Sequence, residues 1–138
     1  MRDRSYEAFS IGDSTESRDE GARLIREGLK TATSELLWSY QADEADPPVA
    51  GSVSILLDGR GEPVCVVETV EVNVVAFDEV DEQFAREYGE WGSTLESWRE
   101  RAWEYYSAIC FDLGREPCLD MPLVCERLGV LHVFDAEA

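Results

Sequence analysis

Residues 28–33 read Gly28-Leu29-Lys30-Thr31-Ala32-Thr33, and this stretch joins two kinds of local structure. Before it, apolar residues recur at roughly helical spacing and predict a helix over residues 18–27, which Gly28 would end. After it, Thr31 and Thr33 favour an extended segment. Lys30 therefore lies where the backbone changes direction, and its side chain can point into a cleft.

Lys30 is also the only lysine of the chain, because the other basic residues among the 12 are all arginines. The bias that replaced lysine elsewhere did not act at this position. Arginine cannot lose its proton at working pH, whereas a partly buried lysine can become a neutral base. Two interpretations stay open: the lysine serves a ligand, or it is a surface lysine that survived by chance.

The flanking sequence predicts a mixture of strands and helices. Ser17 and Glu20 form a capping-box pattern at the start of the first helix. Two β-branched runs at 52–57 and 63–75, joined by a turn at 58–61, predict an antiparallel hairpin.

The second half of the chain continues this mixture. Helices are predicted at 79–87 and 93–107, with a capping box of Ser93 and Glu96, and closing strands at 122–127 and 130–134. The two helices follow each other with no strand between them, which disfavours a parallel βαβ architecture. The pattern predicts an α+β fold, a compact antiparallel β-barrel flanked by about three helices.

The charge balance is strongly acidic, with 30 acidic against 12 basic side chains and a formal net charge of −18. A chain of this sign repels polyanions and lacks the counterion release that drives most affinity for nucleic acid. Long nucleic acid is therefore a disfavoured partner. The acidic surface is either a generic solvated surface or an adaptation to strong salt, which would screen it.

Cysteine and histidine usage predicts neither a disulfide framework nor a metal site. The four cysteines include no Cys-x-x-Cys pair, and the chain has a single histidine, His132. Cys65 and Cys125 lie in apolar runs and are predicted to be buried free thiols. His132 is predicted to be a strand residue. We expect no metal and no cofactor.

Hydropathy predicts a cytoplasmic protein with no membrane partner. No apolar stretch approaches the ~20 residues that cross a bilayer. Residues 1–7 lack the apolar core and the small-residue cleavage site of a secretory signal.

The stretch at 28–33 closely resembles the G-x-K-T-A-T signature of the ASCH family, whose fold is a PUA-like β-barrel. Gly12-Asp13-Ser14 is similar to the F-G-D-S turn of that family. Further matching segments follow in family order: Leu36 to Tyr40, Asp58-Gly59, Phe84-Ala85, Leu95, Trp98-Arg99 and Pro122 to Arg127. The resemblance covers residues 8–134 as a single domain, with an N-terminal arm at 1–16.

The resemblance implies binding of RNA, a nucleotide or a nucleoside. Characterised family members include ribonucleases and an amidohydrolase that deacylates N4-acetylcytidine. In the amidohydrolase type, a lysine and a threonine act together, and these roles fall on Lys30 as base and Thr33 as nucleophile. A helper glutamate of relatives is replaced by Tyr88, so Glu87 or Glu90 would have to substitute for it, and a histidine is replaced by Ala102.

The expected function is a binding module. The alternatives are an amidohydrolase for N4-acylated cytidine, a ribonuclease, and an interaction protein with a vestigial pocket. The expected partner is a nucleoside, a nucleotide or a short RNA. Lys30, Thr33 and Glu90 are the candidate catalytic residues. The residues expected around the ligand are Lys30, Thr31, Thr33, Trp38, Tyr88, Glu90, Trp98 and Arg99.

Overall fold

A computed structural model describes residues 7–12 and 14–134, and the rest of the predicted N-terminal arm lies outside the described residues. The elements, in chain order, are β1 (Glu7–Phe9), α1 (Thr15–Arg26), β2 (Ala32–Leu36), α2 (Leu37–Ala42), β3 (Val53–Leu57), β4 (Pro63–Ala76), a 3-10 helix (Phe77–Glu79), α3 (Glu82–Tyr88), α4 (Leu95–Leu113) and β5 (Pro122–Val133). The predicted α+β class is confirmed.

The five described strands form one sheet in the order β1-β3-β4-β5-β2. The predicted hairpin between β3 and β4 is confirmed, and the β4–β5 and β5–β2 pairs are also antiparallel. Only β1 runs parallel to its neighbour, β3, so the sheet is mixed. With its three residues, β1 is too short to show a hydrophobic period, and its stretch of sequence was assigned to the arm. β1 and β2 lie at the two ends, so the described sheet remains open.

The two predicted closing strands are one continuous strand, β5, which pairs with β4 along most of its length. The separation predicted around residues 128–129 was wrong. Register shifts opposite β5, between Val66 and Val67 and between Thr69 and Glu71, let the paired strands continue past Gly129. Such irregularities bend a strand pair without ending it.

The helix α1 begins three residues earlier than predicted because Ser14, and not Ser17, caps it. The Ser14 hydroxyl accepts a hydrogen bond from the Ser17 amide at 3.1 Å, and the Ser17 hydroxyl accepts one from the Ser14 amide at 3.0 Å. These two bonds form the capping box one turn upstream. The predicted pairing of Ser17 with Glu20 was wrong.

The helices of the second half also differ from their predicted bounds. The predicted helix at 79–87 is divided into the 3-10 helix and α3. Thr94, and not Ser93, caps α4, and its hydroxyl accepts from the Ser97 amide at 3.1 Å. α4 continues six residues beyond 107 and ends at Gly114, whose φ is +73°. The sequence analysis did not predict the short helix α2.

Two clusters of buried side chains hold the sheet to the helices. The smaller one lies between α1 and the sheet and includes Ile25, Leu56 and Cys65. The larger one joins β2 and β5 to α3 and α4 and includes Trp98, Ala102, Tyr106, Met121 and Cys125. The four cysteines are free, and the predicted burial of Cys65 and Cys125 is confirmed.

The end of α3 packs against the turn that carries Lys30. The Thr31 amide donates to the Glu87 carbonyl at 2.8 Å. Gly89 ends α3 with φ of +71°, a left-handed conformation that favours glycine. A Cβ at Gly89 would overlap the Leu29 carbonyl oxygen. The glycine is therefore required both by its dihedral angle and by the close approach of the two backbones.

This contact makes Gly89→Ala more destabilising than a matched substitution. Gly114→Ala is the control, because Gly114 caps α4 at the same φ and a Cβ there would meet nothing within 4 Å. In the control, the free energy of unfolding should fall by about 1–2 kcal/mol, because alanine is disfavoured in the left-handed conformation. In Gly89→Ala, the free energy of unfolding should fall by about 3 kcal/mol or more, since the overlap of the new Cβ with the Leu29 carbonyl adds to that cost. Urea unfolding of both variants checks this, and equal losses would contradict the contact.

Candidate functional site

Lys30 is a buried cation, with 1% of its surface exposed. Its Nζ lies 3.0 Å from Glu90 Oε1, donates to the Tyr88 carbonyl oxygen at 3.0 Å, and lies 3.3 Å from the centroid of the Tyr88 ring. Burial lowers the lysine pKa to about 8, although the charge of Glu90 and its hydrogen bond act in the opposite direction. A fraction of the Lys30 side chains is therefore neutral near physiological pH.

The carboxylate beside Lys30 comes from Glu90. Its side chain is 12% exposed and follows directly after the left-handed Gly89. Glu87, the other acid considered from sequence, lies elsewhere and pairs with Arg127 Nε at 2.7 Å. Tyr88 stands at the position of the family glutamate and supplies a carbonyl oxygen and an aromatic face. The lysine thus has a carboxylate partner two residues later in the chain than the resemblance implied.

A cleft of about 610 Å³ opens beside this pair. Its wall includes Thr33, Tyr88, Glu90, Trp91 and Tyr105. Side chains of β2, β5, α4 and the loop after α3 therefore contribute to one cavity. A volume of this size is in the range of small-molecule sites.

The cleft carries an excess of negative charge. Among the described residues that line it, five are acidic and one is basic. The acidic ones are Glu35, Glu90, Glu104, Asp112 and Glu126, and the basic one is Arg101. A cavity lined mainly by one sign of charge concentrates ligands of the opposite sign and repels like-charged ones.

Trp91 provides the centre of an aromatic wall in this cleft. Its ring centroid lies 4.6 Å from that of Tyr88 and 5.6 Å from that of Tyr105. Trp91 is only partly buried, and the sequence analysis did not select it because it lies in a short loop with no period. Its position between Gly89 and Gly92 was the available signal. Aromatic faces of this kind stack on nucleobases.

Glu35 and Glu126 are cleft carboxyls whose charged forms are disfavoured. Burial raises the pKa of Glu35 to about 7, and no hydrogen bond or ion pair to its carboxyl occurs among the described residues. Burial also raises the pKa of Glu126, which accepts a hydrogen bond from Thr69 Oγ1 at 2.6 Å. The Tyr40 hydroxyl has its pKa raised to about 12 by burial and by these two acids.

A polar network lies beneath the aromatic wall. The hydroxyls of Ser34 and Tyr106 are 2.5 Å apart. Burial holds the pKa values of the Tyr88 and Tyr106 phenols well above their usual range. Tyr88 is therefore a neutral neighbour of Lys30, and the negative charge beside the lysine belongs to Glu90.

The other predicted site residues divide into two groups. Thr33 lines the cleft and pairs with Glu126 across the strands, but no hydrogen bond joins its hydroxyl to Lys30 or Glu90 in the described structure. Thr31 contributes backbone hydrogen bonds to Glu87 and Leu128, and it is exposed.

Three more predicted ligand residues lie outside the cleft wall, as do Thr31 and the buried Lys30. Trp98 is fully buried in the larger core cluster. Arg99 donates from Nη2 to the Asp78 carbonyl at 3.0 Å. Trp38 packs at the edge of the core with the Arg115 guanidinium 4.3 Å from its ring. Their aromatic and basic character therefore serves packing and backbone contacts in this structure.

The described residues form neither a metal-binding cluster nor a membrane-spanning helix. No group of three or more His, Cys, Asp or Glu side chains within 7–12 and 14–134 is arranged to hold a metal ion. Over the same part of the chain, no helix is both long and apolar enough to cross a membrane.

Comparison with known proteins identifies relatives of this arrangement. The family model described as "ASCH domain" matches residues 7–132. The crystal structure of protein EF3133 from Enterococcus faecalis V583 has a TM-score of 0.85 and 30% identity, covering 92% of this chain and 77% of that chain. The ASCH domain from Lactobacillus crispatus JV V101 has a TM-score of 0.87 and 29% identity, covering 93% and 80% respectively. No curated protein matches. These structures confirm the PUA-like fold implied by the resemblance.

The burial of Glu35 predicts a pH dependence of stability. Between pH 4.5 and about 7 the folded protein keeps a proton that the unfolded chain releases, so the free energy of unfolding should fall as the pH rises. The loss should reach about 2–3 kcal/mol. Glu35→Gln should remove this loss, whereas Glu100→Gln, at an exposed position, should not. Chemical unfolding across pH 4–8 checks this prediction. A difference in free energy of unfolding between Glu35→Gln and the parent protein that stays constant with pH would contradict it.

Proposed function

Because the chain belongs to the ASCH domain family, we propose that it binds an unphosphorylated nucleoside in the cleft beside Lys30 and Glu90. One observation carries this proposal: the aromatic wall at Trp91 and the carboxyls of Glu35 and Glu126 line the same cavity. A nucleobase is a flat ring with a polar edge. Stacking contributes about 1–3 kcal/mol per base, and carboxylates accept hydrogen bonds from base amino groups.

The charge of the cleft favours a nucleoside over a nucleotide. Glu90 is paired with Lys30, but a phosphate in the cleft would still lie among four other acidic side chains and a single arginine and would meet a repulsive potential. At an effective dielectric constant of 20, two like charges 4 Å apart repel by about 4 kcal/mol. The net charge of −18 acts in the same direction on a long RNA strand. A short unpaired segment of RNA could still present one base to the cleft.

Amide hydrolysis is the second candidate, and the Lys30–Glu90 contact at 3.0 Å is the observation that favours it. A lysine whose pKa is lowered to about 8 is a usable base. In this scheme neutral Lys30 accepts the Thr33 hydroxyl proton, and the oxygen attacks the amide carbon of an N4-acylated cytidine. The bond from that carbon to N4 then breaks, and protonated Lys30 gives its proton to the leaving amino group of cytidine. Water hydrolyses the ester on Thr33, which releases the carboxylic acid and restores the hydroxyl. Binding ranks first because the Thr33 hydroxyl has no hydrogen bond to Lys30.

Binding is tested by calorimetry with the four common nucleosides and N4-acetylcytidine at pH 7 and about 0.15 M salt. At least one nucleoside should bind, and it should bind roughly 10-fold or more tightly than its own 5′-monophosphate. A single-stranded 20-mer RNA should bind weakly. Glu126→Gln should reduce the difference in affinity between the nucleoside and its monophosphate, since it removes an acidic group from the cleft.

Glu100→Gln is the matched control for Glu126→Gln, because it removes the same charge from an exposed position that does not line the cleft. It should leave the difference unchanged. Absence of binding by all five nucleosides, or tighter binding of the monophosphates, would contradict the proposed function.

Hydrolysis is tested by following deacylation of N4-acetylcytidine. Thr33→Val and Lys30→Arg should each lower the rate by on the order of 10²–10⁴, the usual contribution of a nucleophile or base of this kind. Thr31→Val is the control, because Thr31 is exposed and does not line the cleft. The rate should rise with pH up to about 8, as Lys30 loses its proton. If the parent protein binds N4-acetylcytidine and never cleaves it, the hydrolase candidate fails.

A further inference from the structure

We propose that the cleft selects nucleosides whose base is positively charged at neutral pH, such as a base alkylated on a ring nitrogen, over neutral bases of the same size. This inference rests on the proposed function, because it names the class of nucleoside that the same cleft would bind best. Three features of the cleft carry it: uncompensated carboxyls, an aromatic wall and a carboxyl without a partner.

The negative charge of the cleft is largely uncompensated. Glu90 is neutralised by Lys30 at 3.0 Å. The remaining four acids of the wall have no ion pair to any described residue: Glu35, Glu104, Asp112 and Glu126. Arg101 is the only described basic residue that lines the cleft. A ligand with one positive charge would therefore gain Coulomb attraction that a neutral ligand of the same shape lacks.

The aromatic wall is suited to a flat cation. The Lys30 ammonium lies 3.3 Å from the Tyr88 ring centroid, but Lys30 is buried and does not line the cleft, so Trp91 is the ring on which we expect the ligand to stack. The plane of the Trp91 ring makes an angle of 32° with that of Tyr88 and 54° with that of Tyr105. Tryptophan is the aromatic side chain that attracts cations most strongly, through the negative face of its ring. A cationic base stacked on Trp91 would combine stacking with this attraction.

Glu35 adds the polar part of the recognition. Its carboxyl lines the cleft and has no hydrogen-bond partner among the described residues. An ionised carboxylate accepts hydrogen bonds from the amino and imino groups of a base. A positive charge on the base makes these groups stronger donors, and it favours the ionised form of Glu35. The cation and the carboxylate therefore stabilise each other in the same cavity.

An aliphatic polyamine is the competing ligand, because it would satisfy the charge of the cleft. It has no flat ring to stack on Trp91, so the geometry of the wall favours a base. Spermidine is therefore included in the experiment as a probe. Its affinity distinguishes a general site for organic cations from a site that recognises an aromatic ring.

The experiment compares nucleosides that differ in the position of one methyl group and, at pH 7, by one proton and therefore one charge. N1-methyladenosine, cationic at pH 7, is compared with the neutral N6-methyladenosine, and N3-methylcytidine with 5-methylcytidine, by calorimetry of the full chain at low salt. The cationic isomer of each pair should bind at least about 10-fold more tightly. Raising the salt should reduce this preference, because screening weakens attraction between partly exposed charges.

Two variants report on the parts of the site. Trp91→Leu should reduce the preference for the cationic isomer, and Phe111→Leu is its matched control, since Phe111 is 83% exposed and lies outside the cleft wall. Glu35→Gln should also reduce the preference while keeping the size of the side chain. The isomer comparison on the parent protein needs neither variant, so it decides the proposal even if Trp91→Leu does not fold.

The outcomes separate this inference from the proposed function. Equal binding of the isomers, or tighter binding of the neutral one, overturns the preference for cationic bases and leaves nucleoside binding intact. Spermidine binding as tightly as the cationic nucleosides, in competition with them, also overturns it, because the ring would then not be read. If no nucleoside of either charge binds, the proposed function and this inference fail together.

Discussion

The burial of the Lys30 ammonium is the constraint on which the rest of the site depends. A buried charge is tolerated only when it is paired and hydrogen-bonded, and here one short segment supplies all three partners: the Tyr88 carbonyl, the Tyr88 ring and the Glu90 carboxylate. The end of α3 must therefore lie against the start of β2. Gly89 permits this approach, since a larger residue would overlap the Leu29 carbonyl.

The same segment also builds the cleft. Once Glu90 turns toward Lys30, Trp91 follows and packs beside Tyr88 and Tyr105. The aromatic wall and the lysine–carboxylate pair are thus two results of one loop conformation. β2 contributes Thr33 and Glu35 to the cleft, and these two residues alternate with the buried Ala32, Ser34 and Leu36.

The sequence predicted those features of the fold that depend on residues close together in the chain. The β3–β4 hairpin follows from its β-branched runs and its turn. The errors arose where two local signals competed. Ser14 and Ser17 are both capable caps, and the choice between them depended on the loop before α1. Two separate strands were predicted at 122–127 and 130–134, yet pairing with β4 continues past Gly129 because long antiparallel partners stabilise residues that have weak strand propensity.

The sequence by itself determined that Lys30 is exceptional, that the fold is α+β and that the family pattern runs from the first helix to the last strand. The selection of Glu90 over Glu87 had no physical support in the sequence, and the sequence did not separate a cleft aromatic such as Trp91 from a core aromatic such as Trp98. Only the tertiary structure decided these points. The physical reason is that the direction of a side chain toward a distant partner depends on how whole elements pack, whereas periodicity and spacing report only on neighbours along the chain.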